Sequence, residues 1–190
     1  MRIAVLALQG DFAEHEKMLG RLGAEYTELR RKEDLGRPFD GIILPGGEST
    51  VQGRLLSDLE MYDGLKELII NGLPVLATCA GLILLAEKIE GESSCHLGTL
   101  PVTVRRNAYG RQLGSFHTAD TVRGIGTVPM SFIRAPFVTF AAPETEIISV
   151  VDGNIVGVRY KNQLALAFHP ELDDDTRIFE SFLEMIRQRS

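Results

Sequence analysis

Cys79 is the residue whose surroundings most suggest chemistry. It lies in Ala77-Thr78-Cys79-Ala80-Gly81, where an apolar run meets a helical pattern. A nucleophile flanked by small residues at a strand-to-helix turn is held at the end of the strand, and the small neighbours let the backbone pass. The helix behind it turns N–H groups and a positive dipole end toward the thiol, which favours the thiolate. A buried, inert cysteine at the start of a core helix would need the same local pattern. A nucleophilic thiol needs a base, and the base needs an orienting group. His169 stands in Ala167-Phe168-His169-Pro170-Glu171, directly after a short apolar run. Glu171 is two residues on, so in extended backbone both side chains point the same way. A carboxylate there can fix the imidazole tautomer through a ring N–H.

The other histidines offer less. His15 lies on a helical pattern and is expected to be partly exposed. His117 sits in a Gly/Ser/Thr-rich stretch without an evident partner. Cys95-His96 reads as a loop and lacks the strand-to-helix turn. No Cys-x-x-Cys or His-x-x-x-His pair is present, so neither a metal site nor a resident cofactor is expected. The run Asp173-Asp174-Asp175 suits the N-cap and first turn of a last helix rather than a metal.

Pro45-Gly46-Gly47-Glu48-Ser49 follows another apolar run. Consecutive glycines let the backbone approach a ligand. The N–H of Gly47, with that of Ala80, could form an oxyanion hole. A tight, capped turn would use the same residues, but no Gly-Lys-Ser/Thr follows, which disfavours a phosphate loop. A peptide between two glycines rotates at little steric cost. The Gly46–Gly47 peptide is therefore a candidate switch, with Gln9 and Gly10 as its support.

These residues need a scaffold that brings several loops to one edge. Residues 3–8, 41–44 and 74–78 are continuous apolar runs, the mark of strands covered on both faces. A further strand is expected at 24–29. Helical patterns occupy 12–22, 62–70 and 80–88, and a helix beginning at Thr50 is expected from the Ser49/Gln52 capping box. Strand and helix alternate through the first ninety residues, which predicts an α/β fold with an open, mostly parallel sheet flanked by helices. From 101 to 168 the segments are short, rich in Val, Thr, Phe and Ile, and predict several strands, some antiparallel. A last helix is expected over 174–187.

Composition is consistent with this. The chain has 190 residues, 44% hydrophobic and 24% charged, which suits one domain over 1–190 with a substantial core. Two cysteines exclude a disulfide scaffold and suggest a reducing, cytoplasmic setting. A net charge of −6 without a basic block disfavours nucleic acid. The most apolar stretch, 73–86, is interrupted by Pro74 and Gly81 and is too short for a membrane span, and the first residues lack a signal-peptide pattern.

Together, Cys79 at a turn, His169-Pro170-Glu171 and the Gly-Gly loop resemble the class I glutamine amidotransferases, whose sheet is flavodoxin-like. More closely, the chain resembles the glutaminase subunits of pyridoxal 5′-phosphate synthase. That resemblance rests on Ala7-Leu8-Gln9-Gly10, Leu44-Pro45-Gly46-Gly47-Glu48-Ser49-Thr50, Thr78-Cys79-Ala80-Gly81-Leu82, Arg106-Asn107, Tyr109-Gly110-Arg111-Gln112, Phe132-Ile133-Arg134-Ala135-Pro136 and Ala167-Phe168-His169-Pro170-Glu171. One departure is Ala77, where the family usually has Gly. The resemblance implies hydrolysis of L-glutamine by Cys79, His169 and Glu171. It also implies that Gly47, Glu48, Ser49, Arg106, Ile133 and Arg134 bind the substrate. The ammonia would pass to a β/α-barrel synthase subunit in a hetero-oligomeric complex. Two alternatives stay open: a glutaminase serving a synthase of histidine, anthranilate or purine formation, and a non-enzymatic or redox-sensing α/β domain with an elbow cysteine.

Overall fold

The computed structural model describes residues 1–108 and 115–189. Its first half alternates strands and helices as the apolar pattern requires. In chain order these are β1 (Arg2–Leu6), α1 (Phe12–Arg21), β2 (Glu25–Leu29), β3 (Gly41–Leu44), α2 (Ser49–Asp58), α3 (Tyr62–Ile70), β4 (Val75–Thr78) and α4 (Ala80–Leu85). The second half adds β5 (Ala86–Ile89), β6 (Leu100–Arg105), β7 (Ser115–Val122), β8 (Gly126–Ile133), β9 (Phe137–Ala141), β10 (Glu146–Val151), β11 (Asn154–Tyr160), β12 (Gln163–Leu166) and α5 (Arg177–Arg187). A 3-10 turn at Pro170–Leu172 separates the last two.

The main sheet runs β2-β1-β3-β4-β12-β11-β9-β6-β5, with β10 on β11. Its first five strands are parallel, in the flavodoxin-like 2-1-3-4-5 order. Of the strands expected to be covered on both faces, β3 and β4 are buried at every residue and β1 from Ile3 onward, and β12 is covered as fully. Beyond β12 the chain turns antiparallel through β11, β9 and β6, with β5 returning parallel to β6. The α1 helix lies beside α5, and α2 packs with α3 and α4.

The topology sets four loops side by side. β1, β3, β4 and β12 are consecutive neighbours, and their C-terminal ends carry Gln9–Gly10, Gly46–Gly47, Cys79 and His169 respectively. A fifth contribution comes from the separate β7–β8 hairpin. Phe132 of β8 stacks on Phe116 at 4.5 Å and meets Phe168 at 5.8 Å, which fastens the hairpin to the loop after β12. The His169 N–H also donates to the Ser131 carbonyl at 2.8 Å.

Three local expectations are corrected. The helix expected over 80–88 ends at Leu85, and β5 takes up the chain because residues 86–89 pair with β6. The Ser49/Gln52 capping box does not form. Glu48 is the N-cap residue of α2, and the Gln52 side chain turns back to carbonyls of Gln9, Pro45 and Gly46. Of the three consecutive aspartates, Asp175 serves the start of α5, whose N-cap residue is Thr176, while Asp173 and Asp174 turn to other partners. Asp173 accepts from Ser131 Oγ at 2.9 Å, Asp174 pairs with Arg21 at 2.9 Å, and Asp175 accepts the Arg177 N–H at 3.0 Å. No helix among the described residues is long and apolar enough to cross a membrane.

Candidate active site

Cys79 occupies a strained turn. Its φ is 47° and its ψ −101°, a sparsely populated region for a residue with a Cβ. The strain is held from both sides. The Cys79 N–H bonds to the Leu166 carbonyl of neighbouring β12 at 2.8 Å, and α4, buried at all six residues, anchors the chain beyond the turn. Gly81 must be small, since a Cβ there would overlap the Leu44 carbonyl of β3. The thiol is buried, 7% exposed, with Sγ 4.0 Å from the Ile133 carbonyl.

His169 and Glu171 form the expected pair. Nδ1 of His169 lies 2.7 Å from Glu171 Oε1, and both residues are buried. With Nδ1 taken, Nε2 remains for the thiol. Burial disfavours the imidazolium, but hydrogen bonding and charge interaction with Cys79 and Glu171 outweigh it and hold the pKa of His169 up at about 10. Burial likewise opposes the Glu171 charge, yet the two imidazoles beside it, His15 and His169, pull its pKa down to about 2. At neutral pH the proton therefore resides on the His169 ring, facing an ionised carboxylate.

Asp11 stands at the edge of this pair, Oδ2 3.5 Å from His169 Nδ1. Burial raises its pKa, partly offset by His169. Asp11, His169 and Glu171 place ligand-capable atoms within 4.8 Å of one another. To hold a metal, His169 would have to surrender the Nδ1 proton it shares with Glu171.

The cavity before Cys79 has a volume of about 350 Å³. Gly47, Glu48, Ser49, Arg106, Ile133, Arg134, Gln9, Gly10, Cys79 and His169 line it, so the expected binding residues converge. Glu48 and Arg134 form an ion pair at 2.9 Å, and Arg106 is held by Glu92 at 2.9 Å and Thr50 at 3.0 Å. Asp11, Ile83 and Asn107 line it too; Asn107 stands in the Arg106-Asn107 segment, while no local motif marks Asp11 or Ile83 as site residues. Tyr109-Gly110-Arg111-Gln112 lies outside the described residues.

The Gly-Gly loop is clamped. Gln9 Oε1 accepts the Glu48 N–H at 2.8 Å, while the Gln9 carbonyl accepts from Gln52 Nε2 at 2.8 Å. The Gly46 carbonyl accepts from the Asp11 N–H at 3.2 Å. In a trans peptide the following N–H then leaves on the opposite side.

Two histidines differ from expectation. His15 is fully buried rather than partly exposed, because α1 turns the face carrying His15, Met18 and Leu19 inward. His117 has a partner, with Nδ1 2.9 Å from Ser131 Oγ. Cys95 is exposed and does not line the cavity, in agreement with a loop position.

A thiol at a strained strand-to-helix turn, with a His–Glu pair beside it at the carboxyl edge of an open α/β sheet, is the arrangement of a cysteine-dependent acyl-transfer enzyme. The chain belongs to the SNO glutamine amidotransferase family, which matches residues 5–188. It is 57% identical over 186 residues to a pyridoxal 5′-phosphate synthase subunit PdxT of Desulfitobacterium hafniense, covering 98% of this chain and 94% of that one. It is 54% identical over 186 residues to the subunit of the same name in Methanocorpusculum labreanum, covering 98% of each chain. Among solved structures, a glutamine amidotransferase superposes with a TM-score of 0.93 at 41% identity, covering 97% of this chain and 98% of that chain. A glutamine amidotransferase of Thermotoga maritima, at 16% identity and a TM-score of 0.65 over 100% of this chain and 85% of that chain, shares the fold.

Proposed function

We propose that this chain hydrolyses L-glutamine to L-glutamate and ammonia and supplies the ammonia to a synthase subunit making pyridoxal 5′-phosphate. The observation that carries the reading is the buried Cys79 at its strained turn, with the 2.7 Å His169–Glu171 pair beside it. The thiolate of Cys79 adds to the side-chain amide carbon. The oxyanion that forms takes N–H bonds from Gly47 and Ala80. His169 gives its proton to the amide nitrogen, the C–N bond breaks, and ammonia leaves a γ-glutamyl thioester. Water then adds, its proton passing to His169, and the C–S bond breaks to release glutamate. Glu171 holds the ring through both halves.

Free glutamine carries an α-carboxylate and an α-ammonium. In the cavity, Glu48 suits the ammonium and the arginines the carboxylate. Arg134→Ala should raise the glutamine KM by roughly tenfold to a hundredfold, because it removes a charge-assisted contact. It also leaves the Glu48 carboxylate unpaired beside that of the substrate. Arg106, already shared between Glu92 and Thr50, should give the smaller rise. Unchanged KM in both variants would mean that only backbone groups act there.

The partner is, on the resemblance, a β/α-barrel synthase in a hetero-oligomer in the cytoplasm, where the two free thiols stay reduced. Ammonia released into neutral water becomes ammonium and loses its nucleophilicity, so silence without the partner is useful. Rotation of the Gly46–Gly47 peptide would exchange an oxyanion donor for a repelling carbonyl, and Gln9 and Gly10 abut that peptide. Docking at this edge would bias the two states. Ammonia release from glutamine is the test, measured with the chain alone and with saturating synthase subunit. A rise of about 10²–10³ is expected, the worth of one oxyanion donor. A rise of less than a few-fold, or full activity in the free chain, would remove the switch. No hydrolysis even in the complex would remove the glutaminase reading.

A further inference from the structure

Beside Glu171, approaching the same carboxylate oxygen as His169, lies a second imidazole that the mechanism does not use. His15 is fully buried on α1. Its Nε2 is 3.2 Å from Thr78 Oγ1 and 3.5 Å from Glu171 Oε1. The Phe179 ring of α5 covers it at 5.6 Å between centroids. Nδ1 has no hydrogen-bond partner among the described residues.

The unpartnered Nδ1 favours one tautomer. A neutral imidazole has one N–H and one lone pair. A proton on Nδ1 would bury an unpaired donor and aim the Nε2 lone pair at a carboxylate. A proton on Nε2 faces two acceptors and leaves only a lone pair unmatched. The second arrangement avoids the cost of a buried unmade donor.

Glu171 needs such a neighbour. Oε2 is buried without a partner among the described residues, so Oε1 carries both the His169 contact and the approach of His15. One hydrogen bond on one oxygen leaves a carboxylate free to swing about its last torsion. A second donor on the same oxygen, anchored to Thr78, restricts that swing. Thr78 is the last residue of β4, immediately before the nucleophile. The charged or titratable groups facing His15 are Glu171 from the 3-10 turn, with His169 beyond it, and Asp11 from the start of α1. β4 contributes only the neutral Thr78 and α5 the Phe179 ring.

We propose that His15 is a positioning residue: its Nε2–H locks the Glu171 carboxylate against His169 and ties that carboxylate to the strand that presents Cys79. The role rests on the triad assigned above, and it extends that triad to a fourth buried side chain on a different helix. Without His15 the carboxylate loses a favourable neighbour in a buried site, so it protonates at higher pH and orients His169 less often.

The test compares His15→Leu with His15→Gln in the complex with the synthase subunit. Leu fills the space without a donor, whereas Gln carries an amide N–H to about the position of Nε2. For Leu, kcat should fall about tenfold to a hundredfold, as misplacement of a catalytic group does, with the glutamine KM little changed. The acid limb of kcat/KM should move to higher pH. For Gln, most of kcat should return and the limb should move back. A Leu variant with wild-type kcat and an unmoved limb overturns the proposal. So does an equal loss in both variants that follows a lowered Tm, because that pattern belongs to packing alone. The 15N ring spectrum of His15 in the unsubstituted chain gives a readout apart from activity. An Nε2–H tautomer is expected and Nδ1–H overturns the proposal. A complex that never releases ammonia would count against the glutaminase reading, while the spectrum still decides this one.

Discussion

Cys79→Ala is expected to stop glutamine hydrolysis, lowering kcat in the synthase complex at least about 10⁴-fold, the scale seen when a nucleophile is removed from a working triad. Ala is smaller than Cys and lies in an apolar turn, so the fold should survive. The positive φ of 47° is already tolerated there by a residue with a Cβ. Cys95→Ala should leave kcat within about twofold, because Cys95 is exposed and lies outside the cavity, and exposed positions away from special features change little. Steady-state ammonia release in the two variants decides the matter. Equal activities would return Cys79 to the role of a buried core thiol. Removing the thiol also removes the partner that helps hold the proton on His169, so in Cys79→Ala the His169 pKa should drop from about 10 toward its ordinary value.

Gly10→Ala should cost about 10²–10³ in kcat, the worth of one oxyanion donor. Gly10 has φ +102°, where an L side chain is strained, and a Cβ would overlap the Gly46 carbonyl oxygen. That oxygen belongs to the peptide whose N–H is assigned to the oxyanion. Backbone meets backbone here, so the clash must be relieved by moving one of the two loops. Gly20→Ala is the matched control. It lies on α1, has no atom within 4 Å of its new Cβ and should keep full kcat. Complex formation, checked by sedimentation, separates a displaced oxyanion loop from a lost partner. Wild-type kcat in Gly10→Ala would contradict the assigned oxyanion loop.

The parallel half of the fold is legible in the sequence because its signals are local. Residues 41–44 are stopped by Pro45-Gly46-Gly47 and residues 62–70 by Asn71-Gly72, and the structure places β3 and α3 over the same spans. The elbow is legible for the same reason: small residues around Cys79 suit a tight turn. The sequence misleads where a side chain has a tertiary use. Gln52 sits at capping-box spacing but is drawn back by three carbonyls of the neighbouring loops. Residues 86–89 continue a helical pattern but are claimed by β6. His15 carries a signal that contradicts the expected exposure. It shares the 12, 15, 19, 22 spacing of the apolar face of α1, and that spacing alone turns it inward. Its contacts there, Glu171 and Thr78, lie far along the chain, so only the folded structure brings them to light.

The central claim is that Cys79 is the nucleophile toward the side-chain amide of glutamine. Incubation of the synthase complex with an electrophilic glutamine analogue, followed by peptide mass spectrometry, tests it directly. One equivalent of the analogue should be found on the peptide containing Cys79, and excess glutamine should protect that peptide. Label on Cys95, or labelling of Cys79 that glutamine does not slow, would contradict the account.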